Sequence, residues 1–184
     1  MAQNPPARPA VRRVLLIVGG GIAAYKALEL VRLMQKAGLE VRSILTRSGA
    51  EFVTPLSLAA LTGSAVRQDL FSSEDETTMG HIELSRWADL IGVAPATAGL
   101  MAKAATGAAD DLASTTLLAT DAPVLLAPAM NVRMWLHPAV QDNLSILRAF
   151  PEIVIAGFFL AIFSLGAAAF AFILLNAALS YPVG

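Results

Sequence analysis

The sequence predicts an α/β fold, a doubly wound parallel sheet, followed by a C-terminal transmembrane helix. Short apolar runs alternate with amphipathic segments, as buried parallel strands alternate with the helices that cover them. Turns rich in glycine or proline follow several of these runs, at the end of the strand where such sheets bind ligands. From Ile153 to Leu179 the chain has no charged residue.

Composition excludes several classes of function. The chain has 184 residues, which is the length of one ordinary domain, and its formal net charge of -1 gives no sign of a nucleic-acid partner. It has no cysteine and only two histidines, so disulfides, thiolate metal sites and histidine metal clusters are not expected. We divide it into an irregular arm (1–12), an α/β domain (13–149) and a transmembrane helix (153–180).

The beginning of the domain carries the first candidate site. The pair Arg12-Arg13 and the short apolar run after it resemble a signal peptide superficially. A glycine turn interrupts that run, however, and an amphipathic helix follows. We therefore predict a buried strand, a turn and a helix. The turn suits close approach of backbone N–H groups to a phosphate, although such turns also occur for packing alone. Its candidate phosphate-binding residues are Gly19, Gly20, Gly21, Ile22 and Ala23.

The end of the second predicted strand favours a mononucleotide over NAD. Sites for NAD carry spaced glycines and an acidic residue after the second strand. Here the glycines are adjacent, and Thr46 stands where the acidic residue would be.

A second candidate site follows the apolar run Pro123–Ala127, which we interpret as a buried strand. The next residues include Met130, Asn131, Met134 and Trp135. The two methionines and the tryptophan would form an apolar wall around the amide. The alternative is a proline-rich loop in which the same three side chains belong to the core.

These residues resemble a known family. Pro128-Ala129-Met130-Asn131 followed by Met134-Trp135 is similar to the substrate motif of the flavin-dependent cysteine decarboxylases. That family comprises the phosphopantothenoylcysteine decarboxylases of coenzyme A synthesis and the lantibiotic peptidyl-cysteine decarboxylases. Gly20 to Lys26 resembles the segment that holds the FMN phosphate, and Gly80 to Asp89 resembles the segment with the active-site histidine.

The resemblance runs from about Val14 to Arg148 and implies a flavodoxin-like, Rossmann-like sheet with FMN as cofactor. It implies catalytic roles for His81 and Asn131. Asn131 would bind the substrate carboxylate, and Met130, Met134 and Trp135 would close the substrate site. The remaining cofactor contacts implied are Thr46, Ser48, Pro95, Ala96, Thr97 and Ala98, in addition to the glycine turn. Gly99 departs from the family, which usually has asparagine or aspartate there, so one polar contact to the flavin is lost.

The C-terminal segment departs further from the family pattern. After Arg148 the family continues with another strand and a flexible flap, and the sequence predicts neither. About 27 residues of helix would span roughly 40 Å, enough for a hydrocarbon core of about 30 Å. Small residues would form a seam for helices of other membrane subunits: Gly157, Ala161, Ser164, Ala168 and Ala171. The helix would be a single-pass anchor in the lipid bilayer, with the folded domain in the cytoplasm.

Two hypotheses for the function follow. In the favoured one, the domain is a non-catalytic or FMN-holding scaffold subunit of an integral-membrane complex, of a respiratory or photosynthetic kind. The replaced flap, the absence of cysteine and the anchor favour this interpretation. In the alternative, the chain is an active FMN-dependent decarboxylase of the phosphopantothenoylcysteine type, tethered to the membrane and assembled as a homotrimer. Whether the chain is an enzyme is therefore left open by the sequence.

Overall fold

The computed structural model describes residues 11–70 and 80–156. Five strands alternate with seven helices in these two ranges, and a 3-10 turn, Ile22–Tyr25, follows the first strand. The strands are β1 (Arg13–Val18), β2 (Glu40–Leu45), β3 (Leu90–Ala96), β4 (Val124–Pro128) and β5 (Ile153–Ile155). The helices are α1 (Lys26–Lys36), α2 (Pro55–Thr62), α3 (Gly80–Trp87), α4 (Ala98–Thr106), α5 (Leu112–Leu118), α6 (Val132–Trp135) and α7 (Pro138–Arg148).

The strands form one parallel sheet in the order β2-β1-β3-β4-β5. The chain moves outward in one direction from β1 to β2 and in the other direction from β3 to β5. The reversal leaves a crevice between the carboxyl ends of β1 and β3, where doubly wound sheets bind ligands. The doubly wound, flavodoxin-like sheet predicted from the sequence is thus confirmed.

The sheet separates two hydrophobic clusters. Val14, Leu16 and Val18 point to one face, which α1 and α2 help to cover, while Leu15 and Ile17 point to the opposite face. All five side chains are fully buried, as expected for a central parallel strand covered on both sides. We call the first face the α1 face and the second the α4 face, since α3, α4, α5 and α7 contribute residues to the second.

Local sequence signals set where helices begin and end. Thr54 accepts a hydrogen bond from the N–H of Ser57, and Pro55 occupies the first helical position of α2. Pro55 thus marks the beginning of the regular helix. Gly63 and Gly107 end α2 and α4 in the left-handed conformation that favours glycine.

The C-terminal part of the described chain differs from the prediction. Ile153, Val154 and Ile155 pair with β4 as a fifth strand, so the expectation that no further strand follows Arg148 is wrong. The apolar character of these three residues is explained by their place in the sheet. They form a strand and are not the beginning of a transmembrane helix. The rest of that predicted helix, including the small-residue seam, lies outside the described residues. Within residues 11–70 and 80–156, no helix has the length and apolar character needed to cross a bilayer.

Candidate cofactor and substrate site

The candidate site lies where the loops after β1, β2, β3 and β4 meet the carboxyl edge of the sheet. Because the strands are parallel, segments that are distant in sequence come together at this edge. The cofactor and substrate residues predicted in these loops therefore lie at the same edge of the fold.

The loop after β1 touches the carboxyl end of β3 at Gly19. A Cβ atom on Gly19 would lie 2.3 Å from the carbonyl oxygen of Pro95, far closer than van der Waals contact. Pro95 follows a cis peptide bond from Ala94, and the pairing of β3 with β4 shifts register between Val93 and Ala96. Only a residue without a side chain fits between these two backbones.

The same turn touches the loop after β2. A Cβ atom on Gly20 would lie 2.7 Å from the Cβ of Ser48 and 2.8 Å from its Oγ. Thr46 ties this loop to β1, because its hydroxyl donates to the carbonyl of Val18 at 3.0 Å and accepts from the N–H of Gly49 at 3.1 Å. The fold thus brings together five of the predicted site residues: Gly19, Gly20, Thr46, Ser48 and Pro95.

The start of the 3-10 turn fits an anionic group such as a phosphate. Gly21 caps this turn with φ +108°, and it has no side chain that could accept from the first N–H groups. Open space surrounds the position that a Cβ on Gly21 would take. The N–H groups of Ile22 and Ala23 therefore lack a capping side chain at a point where a ligand oxygen has room. Unpaired N–H groups at such a turn are the usual donors to phosphate.

The loop after β3 adds a polar group. Thr97 caps α4 by accepting a hydrogen bond from the N–H of Leu100 at 3.2 Å, and Ala98 is the first residue of that helix. Gly99 is exposed, and a Cβ there would meet nothing within 4 Å. The departure from the family at residue 99 is therefore not imposed by packing, and a longer side chain has room.

Asn131 has a structural role as well as a predicted binding role. Its Oδ1 accepts a hydrogen bond from the N–H of Met134 at 2.9 Å and caps α6. Since the oxygen is engaged and the residue is exposed, the amide NH2 group is presented at the surface of the site. Two donors on a fixed amide are suited to a carboxylate.

The three apolar residues predicted near Asn131 differ in how far they are buried. Met130 and Trp135 are partly buried against the α4-face cluster, which agrees with the alternative that they belong to the core. Met134 is 46% exposed, so it is the most open of the three to contact with a ligand. The short connection is held in place by Gln141, whose amide donates to the carbonyl of Trp135.

His81 lies in the first turn of α3 and is half-buried. The other histidine, His137, has a structural role, since its Nδ1 accepts a hydrogen bond from the N–H of Ala139 at the start of α7. Within the described ranges, His81 and Asn131 form no hydrogen bond with each other. Their joint role in catalysis remains a prediction.

A cleft of about 660 Å³ opens beside the carboxyl end of β2. Thr46 and Ser48 form one wall, and the connection between α4 and α5 forms the other. The cofactor and substrate residues predicted from the sequence do not include the charged residues of this lining: Arg47, Glu51, Asp69, Lys103, Asp110 and Asp111. Asp110 and Asp111 were visible in the sequence as a pair in a segment, 107–119, that resembles a family helix near the flavin.

Lys103 forms ion pairs with two carboxylates of that wall. Its ammonium lies 2.6 Å from a carboxylate oxygen of Asp110 and 2.6 Å from one of Asp111. The hydrogen bond that Lys103 donates to Asp110 raises the pKa of Lys103 and lowers the pKa of Asp110. Burial opposes ionisation of Asp111, but hydrogen bonds from Lys103 and Ser114 outweigh it and hold its pKa below the ordinary value. Asp111 and Ser114 also form a capping box that begins α5.

A second cavity, of about 450 Å³, lies away from this edge. Val124 and Ile153, the first residues of β4 and β5, are in its lining. The first residue of each strand lies at the edge opposite to the four loops. None of the predicted site residues lines this cavity, so it is not a candidate for the cofactor.

Comparisons with known proteins identify the family. The family described as Flavoprotein matches residues 3–173. The bifunctional coenzyme A biosynthesis protein CoaBC of Haemophilus influenzae is 51% identical over 137 residues, which are 74% of this chain and 34% of that protein. The CoaBC proteins of Bacillus subtilis and Escherichia coli are 51% and 50% identical over similar lengths. The chain therefore spans about a third of the length of these curated relatives.

Solved structures agree with this assignment. The FMN-dependent cysteine decarboxylase SpaF has a TM-score of 0.73 and 33% identity, covering 91% of this chain and 97% of its own. A PPC decarboxylase variant complexed with pantothenoylaminoethenethiol has a TM-score of 0.68 and 33% identity, covering 79% of this chain and 81% of its own. These neighbours support FMN, the cofactor predicted from the sequence.

The relatives also correct the predicted function. We expected a scaffold subunit of a membrane complex, and the relatives are instead biosynthetic proteins and decarboxylases, which match the alternative hypothesis. The expectation that the family resemblance is truncated after Arg148 is not supported either, since the family match continues to residue 173. The chain belongs to the flavoprotein family, among the flavin-dependent cysteine decarboxylases.

Proposed function

We propose that this chain binds FMN and decarboxylates the cysteine carboxylate of a phosphopantothenoylcysteine-type substrate. One observation carries the proposal: Gly19 and Gly20 bring the loops after β1 and β2 and the carboxyl end of β3 into direct contact at the switch point of the sheet. The uncapped N–H groups after Gly21 fit the FMN phosphate in charge and in available space. The 51% identity to CoaBC favours a coenzyme A precursor over a peptide as substrate.

The residues at the carboxyl edge of the sheet would have different roles in holding the cofactor. Bound FMN would supply the two-electron oxidation of the cysteine side chain that makes loss of the carboxylate as CO2 feasible. Gly21, Ile22 and Ala23 would hold the phosphate through backbone N–H groups, with the hydroxyl of Ser48 beside them. The contact of Gly19 with Pro95 would fix the depth of the crevice in which the flavin ring lies.

Substrate recognition would rest on Asn131. Its amide NH2 group would donate to the substrate carboxylate, while its oxygen stays bound to the N–H of Met134. Met134 would cover the substrate, with Met130 and Trp135 supporting the loop from the core side. His81 would transfer the proton required at the reacting end, a task suited to imidazole near neutral pH.

We also propose that the chain acts as a homotrimer. Several large apolar side chains near the site edge are exposed in the single chain, namely Ile22 at 76%, Tyr25 at 57%, Val132 at 54% and Leu136 at 65%. Exposed apolar side chains grouped at one edge favour a contact between subunits. Light scattering of the purified protein would give the number of copies, and a monomer with full activity would contradict this part of the proposal.

The decisive experiment is a decarboxylation assay on the full chain. The protein is purified, its flavin content is measured from its absorption spectrum, and CO2 release from phosphopantothenoylcysteine is followed. The control substrate is the same compound with its carboxylate converted to an amide, which has no CO2 to lose. We expect stoichiometric FMN and CO2 release from the acid only. Bound FMN without turnover of this substrate or of a cysteine-terminated peptide would contradict the decarboxylase proposal.

A further inference from the structure

Asn131, which is proposed to bind the substrate carboxylate, lies in a segment that the hydrophobic core barely anchors. Of the residues from Asn131 to Ala139 none is buried, and Trp135 is the one that is half-buried. Helix α6 is a single turn of four residues, too short to be stable without contacts outside itself. The direction of the Asn131 amide therefore depends on the hydrogen bonds that hold this turn in place.

The beginning of α6 is bonded within the turn itself. The Oδ1 of Asn131 accepts a hydrogen bond from the N–H of Met134, and the main-chain carbonyl of Asn131 accepts one from the N–H of Trp135 at 3.0 Å. These two bonds fix the Asn131 amide relative to α6. They do not fix α6 relative to the rest of the fold.

The end of α6 has a carbonyl that the backbone of the next turn does not pair. In a continuing helix the carbonyl of Trp135 would accept from an N–H three or four residues later. Pro138 has no N–H, and the N–H of Ala139 donates to Nδ1 of His137. Gln141 supplies a donor instead, since its side-chain amide donates to the carbonyl of Trp135.

Gln141 belongs to a helix that is packed into the core. It is the fourth residue of α7, and its own N–H donates to the carbonyl of His137 at 3.1 Å. One turn later, Leu144 is buried in the α4-face cluster, as is Leu147. The hydrogen bond from Gln141 to Trp135 thus connects an anchored helix to the exposed turn that follows Asn131.

We propose that Gln141 is a positioning residue for substrate recognition, which holds α6 so that the NH2 group of Asn131 points to the substrate carboxylate. The inference rests on the proposed function, in which Asn131 binds that carboxylate. Without the bond from Gln141, α6 samples several positions, and substrate binds to the fraction of molecules in which the amide is in place. The KM rises by the inverse of that fraction, while kcat changes little because bound substrate selects the competent position.

The test replaces Gln141 by methionine, which has a similar length and no donor. The matched control is Gln35→Met. Gln35 makes the same kind of hydrogen bond, from its side-chain amide to the carbonyl of Leu61 at 2.7 Å, but this bond joins α1 to α2 on the other face of the sheet. Decarboxylation of phosphopantothenoylcysteine by the FMN-loaded full chain gives kcat and KM for each protein. Hydrogen exchange at the N–H groups of Met134 and Trp135 reports on α6 independently of activity.

For Gln141→Met we expect a rise in KM of about five-fold with kcat within about two-fold of the wild type, as when the competent fraction falls to roughly one fifth. Exchange at Met134 and Trp135 should become faster. Gln35→Met should change neither KM nor these exchange rates, although it also removes one hydrogen bond. In an Asn131→Asp background, Gln141→Met should not lower kcat/KM further, because the amide that Gln141 positions is absent.

Three results would overturn the proposal. The first is unchanged exchange in α6, and the second is faster exchange with an unchanged KM, since α6 would then move without consequence for binding. The third is a lower kcat at constant KM, which indicates a smaller amount of active protein and hence a structural role alone. If Gln141→Met does not fold, judged by flavin absorption and circular dichroism, Gln141→Glu takes its place, because it keeps the shape of the side chain without the NH2 group.

Failure of the proposed function gives a different result. In that case the wild type releases no CO2, or Asn131→Asp keeps full activity. The exchange rates at Met134 and Trp135 then still show whether Gln141 holds α6.

Discussion

A methyl group on Gly19 would stand 2.3 Å from the carbonyl oxygen of Pro95, although Gly19 follows β1 and Pro95 lies near the end of β3, far apart in sequence. Gly19→Ala must therefore push the loop after β1 away from the end of β3. Forcing extra atoms into a packed position costs about 1–3 kcal/mol, which corresponds to a fall in Tm of roughly 3–10 °C. We expect this loss of stability together with weaker FMN binding, measured by thermal unfolding and by flavin titration of the apoprotein.

Gly99→Ala is the matched control for that substitution. The added methyl group would meet nothing within 4 Å, and alanine forms helices better than glycine by up to about 1 kcal/mol. The Tm of Gly99→Ala should be equal to or above that of the wild type. A Gly19→Ala protein with unchanged Tm and FMN affinity would show that the loop after β1 and the end of β3 are not held at the distance described.

Substitution of Asn131 separates its capping role from its predicted binding role. Asn131→Asp keeps an oxygen that accepts from the N–H of Met134 but replaces the NH2 donors by a negative charge that repels a carboxylate. We expect kcat/KM to fall by about 100-fold, equivalent to roughly 2.7 kcal/mol, with Tm and bound FMN unchanged. Asn131→Ala should lower the Tm as well. Full activity in Asn131→Asp would contradict carboxylate recognition by the amide.

The two histidines provide a matched pair for the proton-transfer prediction. His81→Asn should lower kcat by about 10²–10⁴-fold if the imidazole transfers a proton, with FMN still bound. His137→Asn should leave kcat unchanged, because asparagine also caps helices and can replace the Nδ1 acceptor at the start of α7. Both rates are measured at saturating substrate. Equal effects of the two substitutions would indicate a structural role for His81.

The sheet was predictable because its strands are signalled locally. Val14 to Val18 and Val124 to Ala127 are apolar without interruption, as strands covered on both faces must be. β5 was not predictable in this way. Its three residues merge into a longer uncharged run, so no local signal separates a short strand from a membrane helix, and only pairing with β4 defines it.

The site was predictable in part. The glycine turn and Asn131 could be predicted from the sequence, because each belongs to a motif that follows an apolar run. The partners that make Gly19 and Gly20 necessary could not be read from the sequence, since Pro95 and Ser48 approach them only after the sheet has formed. Lys103 was missed for the same reason, because its two carboxylate partners lie beyond the end of its own helix.

Lys103 is expected to stabilise the wall of the cleft. Lys103→Met would leave Asp110 and Asp111 side by side without the cation that both contact. Because all three side chains are partly exposed, we expect a modest fall in Tm, about 2–4 °C, that shrinks as salt screens the repulsion. Lys103→Arg should restore most of the loss, and Lys36→Met, at the exposed end of α1, should have little effect. A salt-independent loss would point to packing of the lysine stem instead.

The pH dependence of stability should report on Asp89, which joins the start of β1 to the start of β3. Asp89 accepts hydrogen bonds from the guanidinium of Arg13 at 2.7 Å and from the N–H groups of Arg12 and Arg13 at 3.0 and 2.9 Å. The hydrogen bond from the Arg13 side chain is the main cause that holds the pKa of Asp89 below its ordinary value. A carboxyl group with a lowered pKa in the folded state stabilises that state above its unfolded pKa, near 3.9, and loses this contribution as pH falls through the folded pKa.

Asp89→Asn should therefore be less stable than the wild type at pH 7, and the difference in Tm should narrow as pH falls below about 4. Thermal unfolding of both proteins between pH 7 and pH 3 measures this difference. Asp142→Asn, on the exposed side of α7, removes a carboxylate without touching the β1 to β3 junction and serves as the control. If the gap between Asp89→Asn and the wild type stayed constant over this range, the ionised carboxylate would not be what holds the two strand ends together.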